Sequence, residues 1–245
     1  MKKILLAGSA LIAALSFASA AQAADIAPAP AYDWTGFYLG ANAGGAWSNT
    51  DVNQDVYING TRVPGAAGLG NSLNGNDTAF TAGGILGYNY QMDKIVLGAE
   101  ADFNYLGFSE SNKNNIDPVS YAKTDFQADW YGTVRGRLGF AIDNVLIYGT
   151  GGLAYGNVST DGKLVLGPYE WQGSNDNTKW GWTVGGGAEY GIDNWSLGLE
   201  YLYVDLGSDS YKSNTVDVPP GPAYFKGDAN YAFSTVRATV KYRFQ

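Results

Sequence analysis

The chain has 245 residues, a net charge of −8, no histidine, no cysteine, 34 glycines and only 8 prolines. An acidic balance argues against nucleic acid as a partner, and the missing His and Cys exclude Ser-His-Asp and Cys-His catalysis, disulfides and the commonest metal and haem ligands, so no cofactor is expected. Abundant Gly with scarce Pro fits neither a helical bundle nor a disordered linker protein.

The first 23 residues read as a secretory signal peptide: Lys2 and Lys3, an apolar run over 4–17, then Ala21-Gln22-Ala23. The run falls short of the roughly 20 residues that a spanning helix needs. Cleavage after Ala23 would make Ala24 the mature N-terminus. Residues 24–33 then form a periplasmic extension in which alternating Ala and Pro favour a polyproline-like tether.

Eight stretches follow in which apolar and polar residues alternate: 34–47, 79–90, 95–105, 126–142, 145–155, 180–190, 195–203 and 232–244. Each is long enough to cross a bilayer at a tilt, which takes about 9 to 11 residues. The connections alternate in length, with tight polar turns at 91–94, 143–144 and 193–194 and long polar loops at 48–78, 106–125, 156–179 and 204–231. This pattern predicts an all-β fold, an eight-stranded antiparallel up-and-down transmembrane β-barrel over 34–245, with short turns in the periplasm and long loops at the cell surface. In the fourth stretch Phe126, Ala128, Trp130, Val134, Leu138, Phe140 and Ile142 are expected to face lipid, opposite Gln127, Asp129, Tyr131, Thr133, Arg135 and Arg137. Two aromatic belts are expected, an outer one with Trp47, Tyr105, Trp130, Trp180, Trp182, Tyr201 and Tyr203, and a periplasmic one with Phe37, Tyr88, Tyr90, Phe140, Tyr190, Trp195, Tyr242 and Phe244. A soluble β-sandwich could share the alternation but has no reason to carry two belts.

The inward face is expected to hold the carboxylates Glu100, Asp102, Asp129, Glu189 and Glu200 and the bases Arg135, Arg137, Lys179, Arg237, Lys241 and Arg243. Pairing the third and fourth stretches sets Glu100 and Asp102 at about the height of Arg135 and Arg137, so the candidate lumen charge network is Glu100, Asp102, Arg135, Arg137, Glu200 and Arg237. Two readings stay open: a charged constriction that selects ions, or a salt-bridge network that fills a narrow lumen. The interior of an eight-stranded barrel, about wide enough for side chains, favours the second. The glycine runs at 149–152 and 185–187 lack the helix and the Lys-Ser/Thr pair of a phosphate loop. The long loops carry 13 acids and the aromatics Tyr57, Tyr121, Tyr169, Trp171, Tyr211 and Tyr224, which would suit divalent cations, a surface ligand or simple solvation.

Seven stretches, DWTGFYLG (33–40), GGILGYNYQ (83–91), YGTVRGRLGF (131–140), YGTGGLAYG (148–156), GWTVGGGAEY (181–190), GLEYLYVDLG (198–207) and TVRATVKYRF (235–244), carry a family likeness. Through them the chain resembles small alphaproteobacterial outer-membrane proteins of the rhizobial and Brucella type, often labelled outer-membrane immunogenic or porin-family proteins. The usual terminal aromatic is offset, since Gln245 follows Phe244. The resemblance implies a surface-exposed, antigenic barrel of the Gram-negative outer membrane that supports envelope integrity and has no enzymatic activity. Its partners would be outer-membrane lipid, lipopolysaccharide and the barrel assembly machinery. It also implies covalent attachment to peptidoglycan through Ala24 and Asp25. The alternatives are a narrow porin or small-solute channel, and a surface-loop ligand-binding or adhesin-type protein.

Overall fold

A computed structural model describes residues 32–48, 52–63, 78–118, 120–218 and 221–244. Among them are eleven strands: β1 (Gly36–Ser48), β2 (Val52–Ile58), β3 (Thr61–Arg62), β4 (Thr78–Met92), β5 (Ile95–Asp117), β6 (Ser120–Ile142), β7 (Val145–Leu166), β8 (Tyr169–Ile192), β9 (Trp195–Lys212), β10 (Val216–Val218) and β11 (Gly221–Phe244). The order β1-β4-β5-β6-β7-β8-β9-β11 is antiparallel throughout, and β11 returns to β1 in register from Phe37↔Phe244 to Ser48↔Phe233. Eight strands therefore close into a ring. Closure gives every spanning backbone group a partner, the condition for crossing hydrocarbon without water.

Three tight turns join the strands at one rim, and each begins with an aspartate in the left-handed region, Asp93 (φ 55°), Asp143 (φ 50°) and Asp193 (φ 52°). Asp tolerates that conformation because its short side chain bonds locally. The rim is braced across strands: Ala141, Gly191 and Arg243 donate backbone N–H groups to the turn carbonyls of Lys94 (2.7 Å), Asn144 (2.8 Å) and Asn194 (2.8 Å).

At the other rim the strands are longer than the alternation indicates. The expected loops 106–125, 156–179 and 204–231 are largely strand, because β5 to β8 run for 22 to 24 residues each and β9 and β11 extend likewise. Above the membrane the outer face meets water, so the apolar half of the alternation disappears while the ladder continues. The loop at 48–78 contains the short strands β2 and β3, and β2 pairs with β11.

The lipid face is as expected at Val134, Leu138, Phe140 and Ile142, all exposed on the outside. It fails higher on β6. A bulge at Asp129, between the pairs Ala128↔Val158 and Trp130↔Asn157, turns the alternation over. Ala128 is thus buried inside while Gln127 and Asp129 are exposed, the reverse of the simple reading, and Asp129 is no lumen residue. The side chain of Phe126 lies outside the described residues. Rings of the outer belt follow one another, Phe103–Trp130 at 5.3 Å, Trp130–Tyr155 at 6.0 Å, Tyr155–Trp180 at 5.4 Å and Trp182–Tyr203 at 5.5 Å. The periplasmic belt includes Phe37–Tyr88 at 4.7 Å and Trp195–Tyr242 at 5.0 Å.

Three layers fill the spanning part of the barrel, and Trp171 and Ala223 form a further cluster in the head beyond it. Nearest the tight turns, Tyr32, Trp34, Val96, Ala141, Leu146 and Tyr148 form an apolar cluster. Tyr32, expected in the tether, is instead a plug residue whose ring covers Gly191, where a Cβ would strike it, and lies 4.6 Å from the Arg243 guanidinium. A charged layer follows. Nearest the surface, Leu106, Phe108, Tyr131, Val158, Leu202, Val204, Leu206, Tyr231 and Phe233 with four alanines form a second apolar cluster.

Val134→Arg is expected to destabilise the folded barrel by about 2 to 4 kcal/mol, the cost of a cation at mid-membrane on the lipid face. Gln127→Arg, above the outer belt, is expected to change stability by under about 0.5 kcal/mol. Urea titration in lipid vesicles, read by the shift in gel migration on boiling, measures both; equal losses would refute the position of the belt.

Candidate functional site

Between the two apolar layers lie eight buried charges, four acids (Glu100, Asp102, Glu189, Glu200) and four bases (Arg135, Arg137, Arg237, Lys241). The register explains the core of the arrangement. Glu100 on β5 is directly opposite Arg135 on β6, and Glu200 on β9 is directly opposite Arg237 on β11. These two hairpins stand on opposite walls of the ring. Their arginines then cross the lumen: Arg135 donates to Glu200 Oε1 (2.9 Å) and Asp102 Oδ2 (3.0 Å) as well as to Glu100, while Arg237 reaches Asp102 Oδ2 (2.6 Å) and Glu200 Oε2 (2.6 Å).

A second tier sits below. Arg137 bonds Glu189 Oε1 (2.6 Å) and Glu100 Oε2 (3.3 Å), and Lys241 bonds the same two oxygens at 2.9 and 2.6 Å. Tyrosines complete the shell. Tyr38 donates to Glu100 Oε2 (2.9 Å) and Tyr148 to Glu200 Oε1 (3.1 Å), and the Arg137 guanidinium lies 3.9 Å from the Tyr148 ring centre. Ser196 donates to Glu189 Oε2 (3.3 Å) and Asn104 to Asp102 Oδ1 (2.8 Å), so all eight carboxylate oxygens accept a hydrogen bond. Both tyrosines fit because a glycine faces them across the ladder, Gly87 opposite Tyr38 and Gly187 opposite Tyr148; a Cβ at either would collide with the ring.

All six residues singled out from sequence meet in this layer. Glu189 and Lys241 join them, although they were grouped only as inward-facing. Lys179 lies opposite Gly156 at the outer belt, away from the layer, and Arg243 lies below it with its guanidinium near the carbonyls of Thr35 (3.5 Å) and Asp193 (3.4 Å). A signal for the two Glu–Arg pairs, though not for the other four charges, lies in an internal repeat. Leu97-Gly98-Ala99-Glu100 matches Leu197-Gly198-Leu199-Glu200, and Thr133-Val134-Arg135 matches Thr235-Val236-Arg237.

The chemistry open to this layer is limited. Each acid is held by a base, and no group of three or more metal-binding side chains occurs among the described residues. The arrangement is charge-neutral, four acids against four bases.

Outside the membrane the surface aromatics divide. Trp171 is buried and donates to the Ala223 carbonyl (3.2 Å), whereas Tyr57 and Tyr224 are half-exposed and stack at 5.2 Å. Hydrogen bonds from Lys163 and Lys123 hold the carboxyls of Glu170 and Asp125 below the usual carboxylate range. The side chain of Tyr211 lies outside the described residues, as do Ala24 and Asp25.

A family model described as outer membrane protein beta-barrel domain matches residues 10–244. The chain is 38% identical to the 31 kDa outer-membrane immunogenic protein of Brucella melitensis, with all of both chains covered. It is 33% identical to the 22 kDa outer membrane protein of Rhizobium leguminosarum over 74% of this chain and 69% of that one. Among solved structures, the outer membrane protein OprG from Pseudomonas aeruginosa matches over 86% of this chain and 97% of its own, at 14% identity and a TM-score of 0.44.

Arg135→Ala and Glu100→Ala are each expected to destabilise the barrel by about 3 to 5 kcal/mol, because each leaves buried opposite charge unpaired. The double variant should lose less than the sum by about 0.5 to 3 kcal/mol. Additive losses in this cycle would show that the two charges do not share a network.

Proposed function

Because the chain belongs to the outer-membrane β-barrel family, we propose that it is a structural barrel of the cell outer membrane, closed to solutes, that supports envelope integrity and presents a folded β-rich head at the surface. The observation that supports this most is the stacked lumen: a charge-neutral layer lies between two apolar clusters, and the void within the outer cluster is about 20 Å³. A cavity of that size holds about one water. Conduction would require the apolar clusters to part and the paired charges to separate. Catalysis would require a free acid, base or nucleophile, and the layer's carboxylates are all engaged.

The same reading takes outer-membrane lipid and lipopolysaccharide as surroundings and the barrel assembly machinery as the route of insertion. It includes attachment of the Ala24 amine to peptidoglycan, with Asp25 beside it. The segment 24–31 has the composition of an extended tether, and Tyr32 and Trp34, the first rings after it in sequence, are packed inside the barrel mouth.

Purified, refolded protein in planar bilayers bathed in concentrated KCl is expected to give no resolved conductance steps. Steady open-channel currents would overturn the closed-barrel reading and make the charged layer a filter. For the tether, muramidase and trypsin digestion of sacculi is expected to release Ala24 joined through its amine to a muropeptide; recovery of free Ala24 alone, in cells that contain the transpeptidases, would leave the barrel untethered.

A further inference from the structure

Eight lysines follow residue 23, and five of them lie at one height on the surface head. Lys113, Lys123 and Lys163 are directly opposite one another across β5, β6 and β7. Gln172 continues the row on β8, and Lys212 on β9 is directly opposite Lys226 on β11, which in turn faces Asp55 on β2. The two groups are joined between Gln172 and Asn214, whose backbone and side chain exchange hydrogen bonds of 2.7 and 3.3 Å. The row therefore follows the head wall from β5 to β11.

Its height is set by the strands. Lys113 is eight residues above Tyr105, Lys163 eight above Tyr155, Gln172 eight above Trp180, and Lys226 eight above Ser234, the partner of Trp47. At about 3.3 Å per residue on strands tilted by about 40°, the row stands roughly 20 Å above the outer aromatic belt. Trp171, Gly162 and Ala223 are buried inside at this level, and the lysines occupy the alternate, outward positions. They project sideways, along the plane of the membrane.

Like charges placed directly opposite each other across a ladder repel. Among the described side chains, acids share the outer face: Asp125 bonds Lys123 (2.7 Å), Glu170 bonds Lys163 (2.8 Å), Asp161 is opposite Asp125, Asp55 is held by Arg62 (2.6 Å), and Asp217 is opposite Pro222 on the face of Lys226. Exposed pairs of this kind contribute little and exchange readily for another anion. Two lysines also sit over aromatic rings, Lys113 over Tyr121 at 4.4 Å and Lys212 over Tyr224 at 3.9 Å, with Tyr224 stacked on Tyr57. Cations beside flat rings suit acidic sugars.

We propose that this lysine girdle binds the phosphate and carboxylate groups of the lipopolysaccharide oligosaccharide that surrounds the barrel in the outer leaflet, with Tyr121 and the Tyr57–Tyr224 stack as platforms for its sugar rings. The ligand is assigned by position and charge: a lateral arc of lysines well above the headgroups meets what stands beside the barrel. The assignment rests on the proposed lipopolysaccharide surroundings of the barrel and is independent of whether the lumen conducts.

The test uses the full mature protein refolded in phospholipid nanodiscs, titrated with fluorescent lipopolysaccharide bearing a phosphorylated core and with the same material after phosphatase treatment. Wild type is expected to bind the phosphorylated form about tenfold or more tightly than the treated form, with an affinity that falls as salt rises. Replacing Lys113, Lys123, Lys163, Lys212 and Lys226 together by Gln should abolish that difference, while five Arg substitutions should retain it and Lys94→Gln at the periplasmic turn should leave it unchanged. Boiling-dependent gel migration confirms that each variant is folded. Equal binding of treated and untreated lipopolysaccharide by wild type, which needs no variant, would overturn the proposal. So would a folded five-Gln variant that binds as wild type does.

Discussion

Burying a charge in a lumen shielded from water costs several kcal/mol unless the charge is paired and its remaining hydrogen-bonding positions are filled. That constraint governs the middle of this barrel. Arg135 and Arg237 each divide their hydrogen bonds between their own wall and the opposite one, so neither the β5–β6 hairpin nor the β9–β11 pair completes its ion pairs alone. The carboxylates Asp102 and Glu200 have all these partners only when the ring is closed. The network thereby links the favourable electrostatics to the long-range contact that forms last in chain order, the union of β1 with β11.

The internal repeat gives this arrangement a simple logic. Of the spanning strands, the first four (β1, β4, β5 and β6) contribute Glu100, Asp102, Arg135 and Arg137 and the last four (β7, β8, β9 and β11) contribute Glu189, Glu200, Arg237 and Lys241, so each half's share of the layer is neutral by itself. The Glu100–Arg135 and Glu200–Arg237 pairs occupy matching places. The remaining charges do not: Asn89 stands where Glu189 does, Leu202 where Asp102 does and Thr239 where Arg137 does. The lower tier is therefore built from unlike parts, Arg137 from one half with Glu189 and Lys241 from the other.

The spanning strands, their order and the lumen charges were legible because a membrane barrel imposes a period of two, and each side of the wall demands a different chemistry. The reading broke where that demand ended. Above the outer belt both faces are compatible with polar residues, so β5 to β8 continue for many residues through sequence that resembles loop, held in register by hairpin geometry rather than by hydropathy. Asp129 was misplaced for a local reason: a bulge adds one residue to the count, and no residue type marks a bulge unambiguously. Tyr32 escaped because the alternating Ala and Pro that precede it describe the chain before the plug, whereas its position depends on Gly191 and Arg243, more than 150 residues away.

The plug at the periplasmic mouth has a mechanical consequence. Tyr32 and Trp34 lead directly into β1, which is paired along its length with both β4 and β11. A pull toward the periplasm on the chain ahead of Tyr32 first meets the packed rings. If these yield, it acts along the axis of β1, perpendicular to hydrogen bonds that extend on both sides. In this shear geometry the bonds share the load and must break together, whereas peeling at an edge would break them one at a time. A barrel anchored through this end resists extraction as a unit, with the strand that closes the ring also bearing the force.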